Sequence, residues 1–240
     1  MSEENFNKVM ISIDACAAFV PFKKTIIKEY PDLFAEITYP YARRWRDDLD
    51  NYVKEKRFNG ECEMTIRDPN GDTKLIQDLH NKGYDVNIKI MGTGIFESVP
   101  SVHERYEELL QTPNVCPRKP ECISAFAEIP KSAKAIEEQG LVNHLGIYVR
   151  GQNRDAYEIY SNTNKKEFLN VGDAINKIRL QDDQFKWMYF SDRMNALEAR
   201  LKARKASNRE FERLKSDVEA AQRIYEFTLT KSETDIEGGR

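Results

Sequence analysis

Four apolar runs, each about as long as a buried strand, alternate with helical patterns along most of this chain. They are VMISID at 9–14, YDVNIKIM at 84–91, HLGIYVRG at 144–151 and KWMYFSD at 186–192. The second is entered through the helical TKLIQDLHNKG, where Gly83 suits a C-terminal stop. The third follows SAKAIEEQG, which ends at Gly140, and the fourth follows the helical KKEFLNVGDAINKI. Such alternation predicts an α/β fold, a three-layer sandwich whose mainly parallel sheet is covered on both faces. Ligands in such sheets sit at the carboxyl ends of the strands. Those ends offer Asp14, the Gly92-Thr93-Gly94 triplet and Ser191-Asp192.

The stretch between the first two runs has a different texture. It is aromatic, charged and broken by prolines, which predicts a helical insertion over 20–72 within a core formed by 1–19 and 73–206. Its DPNGD turn is not a calcium loop, because it lacks the sixth-position glycine and has Leu79 where the twelfth-position glutamate belongs. After Asp192 the pattern is helical. Ser207 and Glu210 form a capping-box pair that starts a helix over 207–229, and a polar tail at 230–240 is expected to be disordered. In that helix Phe211, Leu214, Val218, Ala221 and Tyr225 recur at three- and four-residue spacing. This stripe suits packing on its own domain or self-association through 207–229.

Charge and cysteine usage narrow the classes further. Lysine and arginine total 37 against 40 acidic residues, a net charge of −3, so no global field favours nucleic acid. The acidic, polar MSEENFNK start and the lack of an apolar run of membrane-spanning length predict a cytoplasmic protein with no membrane segment. Four cysteines are too few for a disulfide scaffold. Cys116 and Cys122, with five residues between them, read as free thiols or as a metal clip. Cys16 reads as a small packed residue or as a reactive thiol at a strand end. The segment YPYARRWRDDLDNY is either an amphipathic helix with its aromatics on the core or a cap over a nucleotide. In the second case Tyr39, Tyr41 and Trp45 would stack a ring while Arg43, Arg44 or Arg46 meets a phosphate.

With the strand ends placed, the chain resembles the haloacid dehalogenase (HAD)-like phosphohydrolases, in a layout similar to their deoxyribonucleotidase branch. Asp14 falls at the first acidic position, Thr93 at the second motif, Lys165 or Lys166 at the opening of a later helix, and Asp192 after the fourth run. The resemblance implies a magnesium-dependent phosphohydrolase acting on a small phosphorylated molecule, such as a nucleoside monophosphate. It implies Asp14 as nucleophile, Thr93 as phosphoryl hydrogen-bond donor and Lys166 as charge stabiliser. It also implies Tyr41, Arg44 and Trp45 as substrate contacts, and Mg2+ held by Asp14, the backbone carbonyl of Cys16 and Asp192. Cys16 stands where that family carries a general acid and base. A thiol with a reference pKa of about 8.5 is poor at both tasks, so a catalytically degenerate member with a ligand-binding or assembly role is the alternative.

Overall fold

The computed structural model of the chain describes residues 8–111, 123–150, 155–165 and 167–237. Lys166, Cys116 and Cys122 lie outside these residues. In chain order the elements begin with β1 (Val9–Ile11), α1 (Ile13–Ala17), α2 (Lys23–Glu29), a 3₁₀ turn (Pro31–Leu33), α3 (Phe34–Lys56) and β2 (Gly60–Cys62). They continue with α4 (Pro69–Asn81), β3 (Asn87–Met91), α5 (Ile95–Gln111), α6 (Ile123–Phe126) and α7 (Ile129–Gln139). The last four are β4 (His144–Arg150), β5 (Ala156–Ser161), α8 (Val171–Ala203) and α9 (Asn208–Glu237). They fall into two compact units: Met1–Thr65 with Val102–Pro120, and Ile66–Ser101 with Glu121–Arg240.

In the first unit β1 and β2 pair in parallel, with Val9 opposite Gly60 and Ile11 opposite Cys62. Phe34 and Ala42 on α3 close on Ala17 of α1, and Ile13, Ile26, Ile27 and Tyr39 surround this small core. β2 lies inside the stretch expected to be an insertion, so that stretch contributes a strand to the sheet that holds β1.

The second unit carries a sheet of order β3-β4-β5, parallel between β3 and β4 and antiparallel between β4 and β5. Leu145 and Ile147 of the central strand are fully buried among Ile90, Ile136, Val171, Ile175 and Ile178, which come from β3, α7 and α8. Glycine stops end the helices before β3 and β4 as expected. Gly83 and Gly140 have φ of +75° and +67°, a region that costs glycine nothing. Gly146 on β4 has another role. A Cβ there would meet Glu158 Oε2 at 2.5 Å and His144 Nε2 at 2.9 Å. The carboxylate of Glu158 fills this notch, accepting from Tyr148 Oη at 2.7 Å with His144 Nε2 2.6 Å away.

A second cluster joins α5, α8 and α9. Ile95, Phe96 and Val99 pack on Phe190, Met194, Leu197 and Leu201, and on Leu214 and Ala221. The Phe96 ring lies 4.6 Å from Phe190 and 4.8 Å from Tyr225, and Tyr225 stacks on Trp187 at 5.9 Å. The run KWMYFSD is therefore helical, inside α8, and is not a fourth strand. Its aromatic residues favour strands, but Phe190 continues through Met194, Leu197 and Leu201 at helical spacing, and that periodicity sets the element. β5, in a polar stretch that carries no apolar run, supplies the antiparallel edge. The fold is thus α/β with small sheets and many helices, one sheet mixed, and the HAD-like layout is not supported. Among the described residues, no helix is long and apolar enough to cross a membrane.

Candidate functional site

The carboxyl ends of β1 and β2 point the same way, and the polar groups of the first unit gather there. After Ile11 the chain passes through the extended Ser12 (φ −141°, ψ 136°) and turns at once into α1. This puts the half-buried Asp14 in the first turn of α1, where a carboxylate also suits the helix dipole. Tyr39 of α3 donates its hydroxyl proton to Asp14 Oδ1 across 2.6 Å, a short charge-assisted bond that fixes the carboxylate.

Farther along α3, Arg46 pairs with Asp47 at 2.8 Å, while its Nε is buried with no hydrogen-bond partner among the described residues. The same guanidinium acts on the thiols of Cys16 and Cys62, lowering their pKa values, but burial pushes both upward and wins. Both cysteines are therefore neutral thiols at physiological pH and weak nucleophiles. Lys54 pairs with Asp50 at 2.8 Å beside them. This end of the sheet offers an oriented carboxylate, a phenol and an incompletely satisfied guanidinium, a set suited to binding and proton handling.

Thr93 belongs to the second unit, in the turn from β3 into α5. A helix start of this kind commonly holds an anion, and here the anions are the protein's own. Gly94 N–H donates to Asp182 Oδ2 at 2.8 Å, and Phe96 N–H donates to Asp183 Oδ1 at 2.8 Å. A Cβ at Gly94 would lie 2.3 Å from Asp183 Oδ1, so glycine permits the approach. Burial pushes Asp183 up to about 6, and burial lowers the neighbouring Arg179 to about 10. Arg179 donates to the Phe126 carbonyl at 2.7 Å and lies 4.0 Å above the Phe126 ring. Sequence reasoning passed over Asp182 and Asp183 because their partners lie nearly ninety residues upstream and carry no local signature.

The remaining expected site residues are scattered. Tyr41, Arg44 and Trp45 are exposed on α3, and Asp192 is exposed on α8 in the other unit. Lys165 pairs with Glu137 at 3.1 Å, and Glu137 also accepts from Val171 N–H at 2.9 Å and from Tyr160 Oη. That arrangement ties α7 to β5 and α8. Among the described residues, no group of three or more histidine, cysteine, aspartate or glutamate side chains is placed to hold a metal ion. Of the ligands expected for magnesium, Asp14 and Cys16 belong to the first unit and Asp192 to the second.

The zeta toxin family profile matches residues 1–165, more than half of the chain. The chain belongs to the zeta toxin family. It is 28% identical to Toxin PezT of Streptococcus pneumoniae over 147 residues, which are 60% of this chain and 58% of that protein. The chain thus spans less than two thirds of that relative's length. A solved structure from the PezAT chromosomal toxin-antitoxin system of the same species superposes with a TM-score of 0.60 at 22% identity. The match covers 81% of this chain and 78% of that one. At that identity the likeness speaks to the fold alone. Membership of the zeta toxin family replaces the HAD-like phosphohydrolase and nucleotidase reading. That reading rested on four positions in order, each a residue type common at strand ends and helix starts, and the fourth strand it needed is helix. The roles lent to Asp14, Thr93, Lys166 and Asp192 through it lose that support.

Proposed function

We propose that this chain acts as the toxin of a toxin-antitoxin pair and is restrained by a protein antitoxin. The observation that carries this is the family match over residues 1–165, which contains the whole β1–β2 end with Asp14, Tyr39 and Arg46. The relative named as a toxin and the structure from a toxin-antitoxin system support the same reading. The Asp14–Tyr39 pair is the part of the chain best prepared to meet a polar target, because its carboxylate is already oriented.

Two expectations from the sequence gain nothing here. The eleven glycines include no G-x-x-x-x-G-K-[S/T] pattern, so no phosphate-cradling loop of that type is assigned to this chain and a nucleotide target is not part of the proposal. The Phe211 to Tyr225 stripe packs on its own chain, in the cluster formed with α5 and α8, which is the first of its two readings; self-association through 207–229 gains nothing from it.

Controlled expression in a bacterial host tests the proposal. Induction of the chain should stop growth, and Asp14→Asn made at the same soluble level should relieve the arrest at least in part. Unimpaired growth at full soluble expression would overturn it.

A further inference from the structure

A shallow cavity of about 320 Å³ opens between α5 and α8 in the second unit. Its apolar part is aromatic, made by Phe96, Tyr189 and Phe190. Its rim carries four charges, three of which are engaged with one another. Arg193 donates to Glu97 Oε2 at 2.8 Å and to Ser101 Oγ at 3.1 Å, and Lys186 shares the same Glu97 oxygen at 3.4 Å. The fourth is Asp192, which is exposed and has no hydrogen-bond or ion-pair partner among the described residues. Phe96 and Phe190 form the buried floor, and Tyr189 is the exposed ring. An unpaired carboxylate beside that ring is complementary to an organic cation, which gains from the ring quadrupole and from the ion pair together.

The surroundings of the cavity identify the kind of molecule that brings this cation. Phe185, Met188, Tyr189 and Asp192 stand at i, i+3, i+4 and i+7 and so share one side of α8. Phe185 is 72% exposed, Met188 78% and Tyr189 57%. A small amine would fill the cavity and leave Phe185 and Met188 in water. A polypeptide segment would cover both. Aromatic residues and methionine are the usual anchors of protein interfaces, and a charge beside them sets orientation. The geometry points to a docking surface on α8 for a protein segment that places an arginine or lysine against Asp192 and the exposed Tyr189 ring, with apolar neighbours over Phe185 and Met188. This goes beyond the toxin reading and does not depend on it.

Titration of the isotope-labelled full chain, followed by amide NMR, tests this surface. The probe is a capped tripeptide with arginine between phenylalanine and leucine. Shifts should centre on 185–193 and on the start of α5. The same peptide with citrulline in place of arginine should bind about fivefold more weakly or worse, and so should the arginine peptide to Asp192→Asn. Asp192 is solvent-exposed, so that variant keeps the fold, which its unperturbed spectrum away from α8 would confirm. Equal binding of the citrulline peptide, equal binding by Asp192→Asn, shifts centred elsewhere, or no binding at all would each overturn the proposal. Free agmatine binding as tightly as the peptide would also overturn it, by making the site one for a small amine. Growth arrest is a separate readout, so failure here leaves the toxin assay unaffected, and the reverse also holds.

Discussion

Asp183 combines two opposing demands in one side chain. Its Oδ1 accepts the Phe96 N–H at 2.8 Å, which the start of α5 requires, yet burial pushes its pKa up to about 6. The folded chain therefore binds this proton more tightly than the unfolded chain, whose aspartates titrate near 3.9. The stability it contributes is complete below about pH 4, falls as pH rises towards 6, and is level above that. Two pH units at about 1.4 kcal/mol each set a ceiling of about 3 kcal/mol on that fall. Asp183→Asn cannot titrate. Its urea-unfolding free energy, compared with the parent protein at pH 4 and pH 7, should lose this downward component. A wild-type-minus-variant difference that does not change with pH would show that folding leaves the Asp183 pKa at its unfolded value.

At the scale of elements, the corner between α8 and α9 shows a different use of a buried carboxylate. Glu210 accepts from Ser207 N–H at 2.9 Å and from Arg204 Nη2 at 2.5 Å. Burial raises its pKa, but the bonds from Arg204 and Ser207 outweigh burial and leave it below the ordinary glutamate value. The sign is opposite to that of Asp183: this stability is present above the ordinary value of about 4.3 and is lost as pH falls through the folded one. Glu210→Gln should cost about 1–3 kcal/mol at pH 7 in urea unfolding, and less as pH falls through the folded pKa. This corner was readable in the sequence because its Ser207–Glu210 partners are three residues apart, and the stops at Gly83 and Gly140 were readable for the same reason. β1, β3 and β4 also lie within their apolar runs. What escaped was non-local. FKWMYF satisfies strand propensity and helix burial alike, and only its continuation to Leu201 decides between them. β2 and β5 are too polar to announce themselves, because much of each faces water. In the candidate site, Asp14 stood out as a carboxylate after a strand. Its partner Tyr39 was visible only as one aromatic among several, since nothing local ties two residues separated by α2.

Across the whole molecule, the two units differ in how much they bury. Among the described residues, the first has one small apolar cluster around Ala17, Phe34 and Ala42, with Ile11, Val53 and Tyr106 among its other buried side chains. The second has two apolar clusters, and its central strand β4 is paired on both sides. A unit with less buried apolar surface opens at lower free energy. Native-state hydrogen exchange should therefore find the slowest amides in β4, at Leu145 and Ile147, and faster exchange throughout α1 and α3. Equal protection of α3 and β4 would contradict this ordering. A toxin whose polar end lies in the more easily opened unit would also lose activity in mild denaturant before its bulk helical signal changes. The notch at Gly146 has a consequence for how the second unit is reached at all. Glu158 pairs with Tyr148, and its carboxylate leans into the space that Gly146 leaves between His144 and Tyr148. A hairpin misaligned by one residue would turn that charge towards Leu145 and Ile147, whose side is sealed from water. The glycine thus favours the observed strand alignment over its nearest competitor, in which a charge would be turned away from water.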